Sequence, residues 1–320
     1  MGFSYRNTEV SAERPPKRSF AARWGSRFPT YLADTRENPA FLLMFIFARF
    51  VLIRWALWPR VTKAPAKTKS STLFPGIDRA AMVARLRAKG LCFGLLLPFM
   101  VTEEIVRFAR ETPCFGNLDR RVEFMPDDHV EASQRFGRMI LTGHYFERVS
   151  ECDAVRKIER DPALLDIARS YLGRSARVCA TRLWWSFPSR GASEADLSVS
   201  SQDKFHFDLD DWRMVKFFFY LTDVDDTTGP HVYVEGSHAR RLFKHEATLV
   251  VGHPTEELVA AYGGNSFVAL KGPAGFGFGE DPFGFHLGRV VERSPRLICE
   301  IAFGVSKPSR RRFYGEPVFS

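Results

Sequence analysis

Cysteine is scarce in this chain: five residues in 320, with no CxxC pair and no Cys/His spacing of the zinc type. Cys92, Cys114, Cys152, Cys179 and Cys299 are scattered and odd in number. That argues against a disulfide frame or zinc finger and for reduced, buried thiols. Net charge is missing from most of the chain. Residues 71–320 hold 33 Lys/Arg and 33 Asp/Glu, so the whole +9 belongs to residues 1–70, with 13 basic and 4 acidic side chains. A neutral remainder carries no basic footprint for nucleic acid. The myristoylation pattern is absent, because Arg6 stands where Ser or Thr is needed. An HxH…E metal pattern is absent from residues 204–240, which removes support for a cupin isomerase or a dioxygenase without cosubstrate. Long apolar runs are also absent, with one exception at residues 39–58.

That run reads PAFLLMFIFARFVLIRWALW. Asn38 is a good N-cap with Pro39 at the first helical position, and Pro59 ends the run. As one helix it would reach about 30 Å, a bilayer core. Arg49 and Arg54 lie inside it, and a central Arg costs roughly 2.5–3.5 kcal/mol on insertion. Basic residues flank both ends without an orientation bias, and Trp55 and Trp58 suit the headgroup level. Three readings stay open: a helix lying on an anionic membrane, a core helix with both arginines reaching back to water, and a true span. A secretory signal is not indicated, since the run begins near residue 40 and Arg interrupts it.

The division expected is a basic disordered segment (1–38), the hydrophobic helix (39–58), a Pro/Ala/Lys/Ser/Thr linker (59–75), a catalytic domain (76–305) and a basic tail (306–320). Helices are expected at 78–89, capped by Asp78 and stopped by Gly90, from an N-cap at Thr102 to Glu111, and at 152–160 and 162–172. Leu91–Phe99 and Val178–Phe187 read as strands, and 114–148 as loop with short strands. On the second strand Arg182, Trp184 and Ser186 share one face, a candidate substrate wall. The polar loop 188–203 is placed as a lid. Beyond it strands come short and often: 204–208, 214–222, 231–234, 266–270, 275–279, 285–291 and 296–304, with a helical insertion at 254–262. The expected fold is mainly β with bracing helices, a jelly-roll (double-stranded β-helix, cupin-like) core plus the N-terminal hydrophobic helix.

The chain is organised around Lys204–Arg240. In an extended strand His206 and Asp208 project together, giving one imidazole and one carboxylate, two thirds of a 2-His-1-carboxylate site for non-heme iron. Eight histidines could supply the third ligand: 129, 144, 206, 231, 238, 245, 253 and 286. His231, His245 and His253 read as surface or turn residues, and His238 closes a turn.

The order His206-Phe207-Asp208, Leu221-Thr222-Asp223, Gly229-Pro230, Gly236-Ser237-His238, Ala274-Gly275, His286 and Arg296 resembles the phytanoyl-CoA dioxygenase (PhyH) family of Fe(II)/2-oxoglutarate-dependent oxygenases. The match covers about residues 78–305. Glu235 and Phe276 depart from it, at positions read as structural. The resemblance implies Fe(2+) held by His206, Asp208 and His286, with O2 and 2-oxoglutarate as cosubstrates. It implies Arg296 on the far carboxylate of 2-oxoglutarate, since a guanidinium fork pairs bidentately with a carboxylate. Even spacing from Asp208 places Tyr220 on the same inner face as a candidate cosubstrate contact, and Arg182 and Trp184 are candidate substrate contacts. The implied reaction hydroxylates an unactivated C–H and decarboxylates 2-oxoglutarate to succinate and CO2. Asp208 argues against the halogenases, where a small residue stands there. The substrate class left open is a small molecule, an acyl group or a lipid-linked compound. The rival reading is a non-catalytic jelly-roll sensor or binding protein on a membrane surface. The location expected is cytoplasmic, peripheral on the cytoplasmic face if residues 39–70 meet an anionic membrane.

Overall fold

The computed structural model describes residues 32–56, 70–71, 73–193, 197, 204–248 and 252–317. Among the described residues eleven strands form two antiparallel sheets. They are β1 (Leu91–Leu96), β2 (Cys114–Gly116), β3 (Glu123–Phe124), β4 (Thr142–His144), β5 (Arg177–Ser186), β6 (Met214–Tyr220), β7 (His231–Val234), β8 (Phe267–Leu270), β9 (Phe276–Glu280), β10 (His286–Gly288) and β11 (Arg296–Gly304). The large sheet runs β1-β9-β6-β11-β5-β4-β2-β3 and the small one β10-β7-β8. This is the jelly-roll architecture expected, with the interior between the two sheets.

Every residue of β6 and β11 is buried. Both faces are covered, which is why MVKFFFY reads as one apolar run rather than an alternation. Val215, Phe217 and Phe219 of β6 and Leu297, Cys299, Ile301 and Phe303 of β11 pack against the helices. Phe218, Tyr220 and Ile298, with Phe278 of the neighbouring β9, face the other way, toward Tyr233 and Leu270 across the jelly roll. The glycines of β9 have a packing reason. A Cβ at Gly277 would lie 2.6 Å from the Phe219 ring, and one at Gly279 would lie 2.9 Å from the Phe217 ring. The alternation FGFGE therefore lets the β6 rings cross this strand.

Helices Arg79–Lys89, Phe99–Glu111, Asp153–Glu159 and Pro162–Leu172 brace the large sheet. Asp78 accepts from the Ala81 N–H, and Gly90 ends that helix at φ +75°. Thr102 is not the cap of its helix: the first turn begins at Phe99 behind Pro98, and the Thr102 hydroxyl donates to the Pro98 carbonyl. Residues 114–148 hold a helix, His129–Arg135, besides the short strands. Residues 73–74 of the expected linker are core: Leu73 and Phe74 are buried, and the Phe74 ring stacks on Phe219 at 5.7 Å. Burying a side chain of that size stabilises by about 1.5–3 kcal/mol.

The N-terminal run is two helices, Ala40–Phe47 and Val51–Ala56, rather than one of twenty residues. Asn38 accepts from the Ala40 N–H as its capping role required. The break has a long-range cause. Arg49 donates to the Phe45 and Thr248 carbonyls, and the Val51 N–H donates to Glu246 Oε1. Arg54 turns inward: it donates to the Trp212 carbonyl at 2.9 Å, pairs with Asp281 at 3.5 Å and lies over the Phe283 ring. Both arginines are buried, so neither reaches back to water. Among the described residues no helix is long and apolar enough to cross a membrane. Of the expected basic 1–38 segment, residues 1–31 lie outside the described residues, as do 57–69 and most of the expected lid, 194–196 and 198–203.

Candidate active site

His206, Asp208 and His286 come together, each offering a donor atom within 4.8 Å of the others. Residues 204–208 are not a full strand. They are held by two single bridges, Phe205 to His253 and His206 to His286. The His206 N–H donates to the His286 carbonyl at 3.0 Å and the His286 N–H returns to the His206 carbonyl at 2.9 Å. This reciprocal pair puts the two rings side by side, with centroids 4.5 Å apart. The Asp208 N–H is held by the Pro282 carbonyl at 2.8 Å.

Each imidazole is oriented by a backbone carbonyl. His286 Nδ1 lies 3.0 Å from the Gly284 carbonyl and His206 Nδ1 lies 3.2 Å from that of Lys204. With Nδ1 donating, Nε2 keeps its lone pair for a ligand, which is how metal-binding histidines are commonly set. His286 Nε2 is 3.7 Å from Asp208 Oδ2. Burial lowers the His286 pKa to about 4, so the ring is neutral near pH 7. Burial disfavours the Asp208 anion, but Lys216 above all, then His286 and His206, outweigh it and hold the carboxyl well below its usual range. Two imidazoles and one carboxylate fit a divalent iron ion.

Several charges behind this cluster escaped the sequence reading. Lys216, almost fully buried, donates to Asp208 Oδ2 at 2.7 Å and lies 3.8 Å from both Asp210 and Glu300. Glu280 has no exposure, and its Oε2 meets His231 Nε2 at 2.8 Å. Burial raises the Glu280 pKa to about 7. The available signal was a charge inside an apolar strand: Lys216 in MVKFFFY, Glu300 in RLICEIAFG and Glu280 closing FGFGE. His231, His245 and His253 are all buried, which corrects their reading as surface residues. Each stands in a turn-rich stretch whose burial comes from elements distant in sequence. His238 is buried in its turn against the Arg87 carbonyl at 3.3 Å.

Arg296 opens β11 on the interior face. It donates to Ser186 Oγ at 3.2 Å and to the Gly229 carbonyl, while its Nε is buried without a partner among the described residues. Tyr220 donates to the Leu270 carbonyl at 3.0 Å and accepts from the His231 N–H at 3.0 Å. Trp184 packs edge-on to Phe218 and stacks on His144. Arg182 pairs with Glu300 at 3.4 Å and donates to the Arg312 carbonyl. A cavity of about 460 Å³ lies alongside, lined by Phe41, Met44, Arg182, Asp210, Met214 and Arg312. Asp210, in reach of Lys216, ties that cavity to the metal-ligand cluster.

No family model matches the chain, and no curated protein matches it in sequence. Among solved structures it is similar to EctD from S. alaskensis with 2-oxoglutarate and 5-hydroxyectoine. Identity is 18%, covering 82% of this chain and 96% of that chain, with a TM-score of 0.51. The likeness is one of fold. EctD from S. alaskensis with bound Fe gives the same identity and shares with a TM-score of 0.50. SnoN from nogalamycin biosynthesis, described as a non-heme alpha ketoglutarate dependent epimerase, gives 15% identity over 70% of this chain and 82% of that chain, with a TM-score of 0.48. The EctD-like jelly roll thus accounts for the two sheets around the His206/Asp208/His286 cluster.

Proposed function

We propose that the protein is an Fe(II)/2-oxoglutarate-dependent dioxygenase. It hydroxylates an unactivated C–H of a small-molecule or lipid-linked substrate and converts 2-oxoglutarate to succinate and CO2. The observation that carries this reading is the convergence of His206, Asp208 and His286 on one open face of an EctD-like jelly roll. These three side chains would hold Fe(2+). The ion supplies oxidation by O2 when bound, and this chain supplies orientation and an enclosed interior. Gly284 and Lys204 fix the imidazole tautomers, and Lys216 keeps Asp208 ionised and aimed. Arg296, braced by Ser186, is assigned to the distal carboxylate of 2-oxoglutarate, with Tyr220 fixing the wall beside it. Arg182 and Trp184 are assigned to substrate. The charged lining of the adjacent cavity, Arg182, Asp210 and Arg312, favours a polar or charged group on that substrate.

An anionic membrane surface is the second part of the proposal. Leu42, Leu43, Ile46, Leu52 and Trp55 stay exposed on the two N-terminal helices, and the sequence after them is basic through Arg60, Lys63, Lys67 and Lys69. Such a face suits a helix lying in the headgroup region of the cytoplasmic leaflet. Co-sedimentation with vesicles rich in anionic lipid, lost in Leu52→Glu/Trp55→Glu, checks it.

The decisive experiment is anaerobic Fe(II) titration with and without 2-oxoglutarate, following the weak visible metal-to-ligand charge-transfer band. Wild type should show the band, and His206→Ala and His286→Ala should lose it. Folded wild type without a band would sink the oxygenase reading in favour of a non-catalytic jelly roll.

A further inference from the structure

We propose that His245, His253 and Glu257 form a second metal site, for a zinc-class divalent ion, that locks the helical insertion onto the segment carrying His206. Their donor atoms lie within 4.8 Å of one another, as in the first cluster. Two helices, and the bridge residue just ahead of the second, supply them. His245 sits on helix Phe243–Ala247, Glu257 on helix Thr255–Tyr262, and His253 is the bridge partner of Phe205.

His245 Nε2 lies 3.0 Å from Glu257 Oε1, and His253 Nδ1 lies 3.6 Å from Glu257 Oε2. Ligands bonded tetrahedrally to zinc at about 2.0–2.1 Å stand about 3.3 Å apart, so the rings need little movement to bind. Two imidazoles and a carboxylate are a zinc donor set, with the fourth position left to water. That position opens at Glu257, whose side chain is 30% exposed while both rings are buried.

The nitrogens that face Glu257, His245 Nε2 and His253 Nδ1, share that one carboxylate, and an ion between them would meet all three donors at once. The opposite nitrogens, His245 Nδ1 and His253 Nε2, are buried with no hydrogen-bond partner among the described residues. Lys244 now holds Glu257 Oε1 at 2.7 Å. Its side chain is 59% exposed, so it can swing into water and give way to a cation. The Phe285 ring stands edge-on to both imidazoles at 5.3 and 4.9 Å, with the Arg241 guanidinium over its face at 4.5 Å. Phe285 precedes His286, so an ion here would brace the backbone next to both histidines of the first cluster.

The test is titration of chelator-stripped full-length protein with Co2+, followed by visible absorption, and with Zn2+, followed by calorimetry. Wild type should take two equivalents. Glu257→Gln, whose half-exposed position tolerates the change, should take one, and so should His206→Ala through loss of the other site. The double variant should take none. Lys244→Met should keep both equivalents and tighten the second about tenfold, because a competing positive charge is gone. One equivalent in wild type, abolished by His206→Ala, overturns the second site. Two equivalents that survive Glu257→Gln also overturn it. If the first site is the wrong assignment, His206→Ala changes nothing while Glu257→Gln still removes one equivalent.

Discussion

Two clusters in this molecule hold the same chemistry, two histidines and one carboxylate, and differ in the lysine that faces the acid. At His206/Asp208/His286 the carboxylate is gripped by Lys216, whose side chain is 5% exposed. At His245/His253/Glu257 it is gripped by Lys244, which is 59% exposed. Donor sets alone do not distinguish a site inside a barrel from one beneath a surface helix; the dielectric around the counter-charge does. A buried ammonium cannot leave without stranding an anion, so Lys216 is a fixed part of its site. An exposed one exchanges its partner for water at little cost, so Lys244 is a removable latch.

The largest effect expected from breaking that comparison is at the ligands themselves. Asp208→Ala should abolish both the charge-transfer band and 2-oxoglutarate turnover, whereas Glu257→Ala should leave turnover measurable. Next comes the buried cation. Lys216→Met should destabilise the metal-free protein by about 3–5 kcal/mol in urea melts, with Fe(II) restoring part of it. Lys244→Met should change stability by less than about 1 kcal/mol, and equal losses in the two variants would erase the distinction. A smaller effect concerns the cosubstrate end. Arg296→Lys should raise the 2-oxoglutarate concentration needed for half-maximal band intensity about 10–100-fold, since a point charge cannot replace the fork against a carboxylate. The smallest is at the surface: Leu52→Glu should leave the urea midpoint unchanged while reducing vesicle binding.

Much of the first cluster was legible because its residues carry local signals. His206 and Asp208 share a face by alternation, and β6, β7 and β11 follow from apolar runs bounded by Gly, Pro and acidic turns. The second cluster was invisible for the opposite reason. His245 and His253 stand in a polar stretch, and packing against each other, Phe285 and Tyr262 buries them. The N-terminal run misled in the same way. The core-helix reading sent Arg49 and Arg54 back to water, but their partners, Thr248 and Asp281, lie about two hundred residues away in sequence. Lys216 and Glu300 gave a signal that hydrophobic patterning discards, a charge at an even position inside a buried strand. Such a charge is expensive unless paired, and pairing across the interior cannot be seen in one strand.

The reciprocal hydrogen bonds between His206 and His286 make two backbone amides into a gauge of the centre. Residues 204–208 have no continuous ladder, so opening that bridge and the Asp208–Pro282 hydrogen bond separates the two ring-bearing segments. Amide hydrogen exchange at His206 and His286 should then slow together when iron binds. Their common rate would read out how often the centre comes apart, without substrate and without turnover.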